Sequence, residues 1–299
     1  MKKELKAALI GLDTSHAVSF TKLLQDPSVP EAERVSGMKV TRCLRFKTPF
    51  QSEEGMDERQ KYLESQGVLV TQDFEAATDD CDIILLTVDD PSAHLEYFRK
   101  CAALGKPVYL DKPFADTMEN THRMIELARE KHLRFFTASA LRFDPGIIPA
   151  AEKYPNPKGA FVYGALGEAP AGSSIVWYSV HCFEILERLM GRGADTVTMI
   201  PDARGALCHV AYRDGRRGAV EFIRHIWQYG GILHAADDGH YPFASMPGHR
   251  FYVELLRECV RFFRGESEGV SLEDSIEVMA MVEAADKSMK SGCTEPVCL

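Results

Sequence analysis

The chain has 299 residues, 45% hydrophobic and 26% charged, a composition suited to a soluble globular protein of one large domain or two ordinary ones. A net charge of −9 opposes the phosphate-tracking surface of a nucleic-acid binder. No run approaches the ~18 apolar residues of a membrane span, so neither nucleic acid nor a membrane is expected as a partner.

Residues 5–10 predict a short apolar strand ending at Gly11, and Ala17, Phe20, Leu23 and Leu24 follow at helical spacing. A second strand is expected over 38–46, a polar helix over 57–66 and a short strand over 68–70. The run 82–88 is nearly all apolar, as in a strand buried on both faces. Ser92 starts a helix carrying His94, Leu95, Phe98 and Cys101 that stops at Gly105. A strand over 108–110, an amphipathic helix over 117–131 and a strand over 134–138 complete the series. Alternating strands and helices imply right-handed βαβ units and a parallel sheet, hence a Rossmann-like α/β domain over 1–140. Beyond it the rhythm changes. Strands expected over 159–166, 196–200, 206–212 and 219–227 come in series, with helices over 177–190, 250–263 and 272–289. That pattern predicts an α+β domain with a mostly antiparallel sheet over 141–299. Leu207, Val210, Val220, Phe222, Ile223 and Trp227 are expected on an exposed apolar face of that sheet. The amino-terminal residues Met1-Lys2-Lys3-Glu4 precede the first strand without an apolar run of signal-peptide length. The eight cysteines lack a Cys-x-x-Cys pair. A cytoplasmic protein with free thiols and no metal is expected.

The strand over 108–110 runs directly into Asp111-Lys112-Pro113. A lysine just past the carboxyl end of a strand stands where open α/β sheets bind ligands. Pro113 fixes its own φ and restricts Lys112, so the ammonium projects from a stiff turn. There it can orient a substrate oxygen or exchange a proton with it; a surface lysine ahead of a helix would read the same. Asp89 and Asp90 follow the strongest strand, where carboxylates either bind ribose or substrate hydroxyls or cap the next helix. His181 lies on an amphipathic helix with Glu184 one turn later, as an acid/base group or a core histidine. Trp177 and Tyr178 at that helix start either stack on a sugar or nicotinamide ring or fill the core. His234, Asp237, Asp238 and His240 lack helical ligand spacing and read as a surface loop rather than a metal site.

Several of these segments occur together in one order: Ala8-Leu9-Ile10-Gly11, Thr87-Val88-Asp89-Asp90-Pro91-Ser92-Ala93-His94, Gly105-Lys106-Pro107-Val108, Asp111-Lys112-Pro113, Arg142-Phe143-Asp144-Pro145, His181-x-x-Glu184 and Ser271-Leu272-Glu273-Asp274. In that order and spacing the chain resembles the glucose–fructose oxidoreductase and inositol dehydrogenase family (Gfo/Idh/MocA), most specifically over 82–143. The resemblance implies a Rossmann domain followed by an open-faced antiparallel sheet domain. It implies NAD(P)-dependent hydride transfer to or from a sugar, polyol or related carbohydrate-like small molecule. Lys112 would polarise the reacting oxygen and relay its proton, assisted by His181. Cofactor contacts are implied at Gly11, Asp13, Thr14, Ser15, Asp89, His94 and Asp111, and substrate contacts at Arg142, Trp177, Glu184 and Tyr241. Packing of subunits through the open sheet face would give a homodimer or homotetramer.

Three positions depart from the family pattern. The Gly-x-Gly-x-x-Gly turn aligns with Gly11-Leu12-Asp13-Thr14-Ser15-His16 and keeps only its first glycine. A carboxylate at Asp13 would repel a phosphate ~4 Å away by about 4 kcal/mol at an effective dielectric of about 20, unless it turns aside. Asp13 or Thr14 is expected to cap the helix, leaving the Thr14 and Ser15 hydroxyls for a displaced phosphate. The second strand ends in Arg45 and Lys47 rather than an acidic residue; these either accommodate a 2′-phosphate, which favours NADP over NAD, or are two solvated cations on a loop. Trp177 stands where the family often has the aspartate of Asp-x-x-x-His. These changes keep open a cofactor-free ligand-binding or regulatory protein on the same scaffold.

Overall fold

The computed structural model describes residues 3–248 and 250–299; Met1 and Lys2, where the amino-terminal reading began, lie outside the described residues, as does His249. The chain forms two compact units. The first comprises Met1–Ala115, Glu119–Thr137 and Tyr252–Gly269; the second comprises Asp116–Met118, Ala138–Phe251 and Val270–Leu299.

In the first unit the strands are β1 (Leu5–Ile10), β2 (Met38–Leu44), β3 (Leu69–Thr71), β4 (Ile83–Leu86), β5 (Val108–Asp111) and β6 (Phe135–Ala138). The helices between them are α1 (Ser15–Gln25), α2 (Glu53–Ser65), α3 (Phe74–Thr78), α4 (His94–Ala102) and α5 (Met118–Glu130). The sheet order β3-β2-β1-β4-β5-β6 is the doubly wound Rossmann order, which reverses direction between β1 and β4. All four residues of β4 are buried, as expected for a strand covered on both faces. Gly11 ends β1 at φ +116°, and a Cβ there would come within 2.7 Å of the Val88 amide nitrogen. The glycine is therefore needed for the close approach of two strand ends at the switch point. Helix α8 (Arg250–Phe263) joins this unit from Tyr252 onward. Its Phe262 packs on Phe136 with ring centroids 4.8 Å apart and accepts a hydrogen bond from Arg134 at its carbonyl, at 3.0 Å.

The second unit contains α6 (Ile148–Lys153), β7 (Gly159–Ala165), α7 (Val180–Met190), β8 (Ala194–Pro201), β9 (Gly205–Tyr212), β10 (Arg217–Ile223), β11 (Gly230–His234), β12 (His240–Ala244), α9 (Leu272–Ser291) and β13 (Glu295–Pro296). Its sheet runs β12-β11-β7-β10-β9-β8-β13, antiparallel at every pairing except the parallel β7–β10 neighbours. Helices α7 and α9 cover one face. A Cβ on Gly218 would meet Leu186 at 2.9 Å, so α7 crosses β10 where the strand has no side chain.

The period-two alternation corrects the expected apolar face. Val210, Val220 and Phe222 point to the helix-covered side and are buried. Leu207 is exposed on the other face, where Ile223 is half-buried, and Ile200 and Ile232 are exposed there as well. Strand β10 ends at Ile223, because His225 takes a left-handed φ of +60°, and Trp227 lies beyond it. The surface loop read around His234 to His240 is the tip of the β11–β12 hairpin: 235–239 form the loop, and its ends His234 and His240 are paired strand residues. Gly230 and Gly231 hid the strand from propensity, yet a Cβ on Gly231 would lie 1.9 Å from the Phe161 carbonyl oxygen. Among the described residues, no helix is long and apolar enough to cross a membrane, and no three or more His, Cys, Asp or Glu cluster as metal ligands.

Candidate active site

Each unit carries its own cluster of buried polar side chains. In the first it lies at the carboxyl end of the parallel sheet, where β1, β4 and β5 deliver Gly11, Asp89 and Asp111. Asp13 is 1% exposed and folds inward, its Oδ2 accepting from the Asp89 amide at 3.2 Å. Burial, then the Asp89 carboxylate, push its pKa up to about 7 against hydrogen bonds from the Asp89 amide, its own amide and Thr48. The cap of α1 is Thr14, whose side chain accepts from the His16 amide at 3.2 Å, and Ser15 is exposed. His16, at the family's third glycine, is buried with Nδ1 bonded to the Asp111 carboxylate and its ring edge-on to Tyr252 at 5.0 Å.

Asp111 also accepts from the Tyr109 hydroxyl at 3.1 Å and from the Lys112 amide at 2.9 Å. Burial alone would raise its pKa, but the His16 and Lys112 charges outweigh it and bring the carboxyl down to about 2. Asp111 is thus fully engaged in holding the turn. The Lys112–Pro113 peptide is cis. The Lys112 side chain is 5% exposed, and its Nζ lies 3.8 Å from Asp89 Oδ1. Arg59 of α2 donates to the Leu12 carbonyl at 3.0 Å; burial favours its neutral form while the Asp89 and Asp13 charges oppose this. No sequence signal marked Arg59, one of two cations, with Lys61, on a polar helix.

Two residues expected at the cofactor are committed elsewhere. Arg45 donates to Asp57 at 2.6 Å, Gln60 at 2.8 Å and Glu53 at 2.8 Å, so its guanidinium is held along α2. His94 is buried, with Nε2 2.8 Å from the Val88 carbonyl and Nδ1 3.3 Å from that of Phe114. It ties the segment after β4 to the segment after β5, and so braces Asp89 and Lys112 rather than reaching outward.

In the second unit, a wide π-type turn over Ile175–Ser179 leads into α7 and carries the half-buried Trp177 and Tyr178. His181 is 7% exposed, and its Nδ1 lies 2.6 Å from the Ser139 hydroxyl. The Ser139 amide donates to Glu184 Oε1 at 2.9 Å. Arg142 reaches Glu184 at 3.3 Å, Glu187 at 2.5 Å and Asp274 at 3.5 Å. Burial pushes Glu184 up to about 7, with Arg142 pulling the other way. Arg142 and Glu184, expected as substrate contacts, are therefore partners of each other inside the unit. Tyr178 packs edge-on to His181 at 4.9 Å and Tyr229 does so at 5.8 Å, while Trp177 and Trp227 flank Tyr178 at 5.0 and 5.3 Å. Tyr241 stacks on Tyr154 at 3.4 Å on the edge strand β12, with Lys153 5.9 Å from its ring. It lies apart from this aromatic group. Sequence reasoning missed Ser139, Glu187 and Tyr229, and gave Asp274 no site role, because nothing local relates them to His181.

Residues 52–139 match the model of the oxidoreductase family with an NAD-binding Rossmann fold, GFO_IDH_MocA. Over that segment, somewhat under a third of its length, the chain is similar to the Gfo/Idh/MocA family. Within known proteins it is similar to the uncharacterized oxidoreductase YhhX of Escherichia coli (strain K12), 29% identical over 149 residues. The match covers 48% of this chain and 41% of YhhX, so it spans less than half of that relative. Solved structures of similar fold cover nearly the whole chain. Apo scyllo-inositol dehydrogenase from Lactobacillus casei superposes with a TM-score of 0.80 over 99% of both chains at 15% identity. GenD2 from gentamicin A biosynthesis, in complex with NAD, gives 0.81 over 100% of this chain and 98% of its own at 13% identity. An oxidoreductase from Agrobacterium radiobacter, in complex with NAD+, L-tartaric acid and magnesium, gives 0.77 over 99% of both at 17% identity. At such identities these likenesses establish the fold.

Proposed function

We propose that the protein is an NAD(P)-dependent oxidoreductase that moves a hydride to or from a hydroxyl- or keto-bearing carbon of a carbohydrate-like substrate. The observation that carries this reading is Lys112, an almost fully buried ammonium at the carboxyl end of β5 with the Asp89 carboxylate beside it. An L. casei scyllo-inositol dehydrogenase of the same fold, solved with NAD(H) and scyllo-inositol, supports a cyclic polyol or sugar as the substrate class.

The turn after β1 fits a dinucleotide better than its sequence promised. The Asp13 carboxylate is folded into the protein, so the start of α1 presents the exposed Ser15 beside the buried Thr14 cap, at a helix end where anions bind. Those groups would hold the diphosphate. When bound, the nicotinamide supplies the carbon that carries the hydride. Lys112 donates a hydrogen bond to the reacting oxygen, favours the negative charge that develops on it, and relays its proton. Asp89 stabilises the charged ammonium. His181 is the proposed acid/base group. With Arg45 held by α2, its guanidinium gives no argument for NADP over NAD, and both enter the test.

The reading extends to assembly and location. Exposed Ile200, Leu207 and Ile232 on the open sheet face support a homodimer or homotetramer, which light scattering would test. Six buried free cysteines suit the reducing cytoplasm. The deciding experiment titrates the purified protein with NADH and NADPH. It then assays inositols, sugars and their keto forms with both cofactors. Turnover by the wild type is expected. No cofactor binding and silence across the panel would leave the cofactor-free ligand-binding or regulatory alternative.

A further inference from the structure

The Ser139 hydroxyl is fully buried. Its oxygen accepts from the Leu141 amide at 3.2 Å and lies 2.6 Å from His181 Nδ1. Among the described residues, Nδ1 is the one acceptor within reach of the hydroxyl proton. Were Nδ1 itself protonated, Ser139 would accept twice and leave a buried O–H without a partner, which costs about 1–3 kcal/mol of lost solvation. The satisfied arrangement has Ser139 donating to a bare Nδ1, so the neutral imidazole carries its hydrogen on Nε2.

Ser139 is itself held. Its amide donates to Glu184 Oε1, and Glu184 is gripped by Arg142, which also binds Glu187 and Asp274. The hydroxyl is thus anchored to the same helix, α7, that carries His181. We propose that Ser139 is a positioning residue that fixes His181 as its Nε2–H tautomer, with the Glu184–Arg142 pair fixing Ser139. The consequence for turnover rests on the proposed acid/base role of His181; the tautomer itself does not.

The test uses the full-length protein labelled with nitrogen-15. Long-range proton–nitrogen spectra of the histidine rings are recorded, and His181 is assigned by its loss in His181→Gln. The expected wild-type spectrum shows a bare Nδ1 and a protonated Nε2. Ser139→Ala should give mixed tautomers, and Ser139→Thr should restore the wild-type pattern. In turnover, Ser139→Ala should lower kcat roughly 10-fold, part of what general acid–base catalysis contributes, with KM little changed. Threonine should recover it. A wild type with the hydrogen on Nδ1, or a Ser139→Ala protein that keeps the wild-type tautomer, overturns the proposal. If Ser139→Ala does not fold, the wild-type spectrum alone decides. The expected tautomers in a protein without turnover would leave the Ser139 inference standing and remove the oxidoreductase reading.

Discussion

The two polar clusters are built on opposite plans. In the first unit, charges are matched in small local sets, His16 with Asp111 and Lys112 with Asp89, around a turn whose backbone is fixed by strand ends. In the second, one guanidinium, Arg142, gathers three carboxylates from α7 and α9. The contrast teaches where each kind of substitution should hurt. Loss of the reactive cation in the first cluster should damage chemistry and spare the fold. Loss of the hub in the second should damage the fold.

The largest effect is expected from Arg142→Ala, which strands Glu184 and Glu187 as buried carboxylates. Breaking a buried pair in this way costs about 3–5 kcal/mol, read as a lower urea midpoint; a loss under about 1 kcal/mol would show that the hub is not one. Lys112→Met sharpens the other side. It should lower kcat roughly 100-fold or more while leaving the urea midpoint near that of the wild type. Full activity in this variant would remove Lys112 from the mechanism.

A third prediction concerns pH. Burial and the neighbouring Asp89 carboxylate push the Asp13 pKa from its ordinary 3.8 up to about 7 in the folded state. The folded state therefore holds the proton more tightly, and this contribution to stability is present at low pH and lost as pH rises between those values. Glu184, raised from 4.5 to about 7, adds a slope of the same sign. Asp13→Asn should remove part of the decline in stability across that window. NADH binding by the wild type is expected to weaken as Asp13 ionises through pH 7, and Asp13→Asn should abolish that weakening. An unchanged pH dependence of both would refute the assignment. The smallest effect belongs to Arg45→Gln. Its partners Glu53 and Asp57 are exposed, so stability should fall by no more than about 1 kcal/mol. The ratio of NADPH to NADH affinities should hold; a tenfold drop for NADPH alone would return Arg45 to the cofactor.

What the sequence disclosed follows the same division. The parallel sheet was legible because β4 is uninterruptedly apolar and the alternation of elements is regular. The position of Lys112, directly after β5, was legible because a strand end is a fixed address. By contrast, Asp13 was placed at the correct turn, but the inward rotation of its carboxylate depends on the Asp89 amide, 76 residues away. Ser139 was invisible because its importance lies in a partner 42 residues on. Hairpin β11–β12 was missed because glycines required by close backbone approach look like loop residues. The apolar sheet face was misjudged by counting hydrophobic residues along the strands without separating odd from even positions.

The placement of α8 has a consequence for synthesis. Tyr252–Gly269 belongs to the first unit, yet more than a hundred residues of the second unit are translated before it. All six strands of the Rossmann sheet leave the ribosome while Phe136 still lacks Phe262 and the close-packed Gly269. Domains ordinarily fold in the order they are made; here the first to begin waits for the second to be threaded out. A chain truncated at residue 140 would therefore be an unfinished first unit rather than a free-standing one, with the apolar surface around Phe136 open to water and to its neighbours.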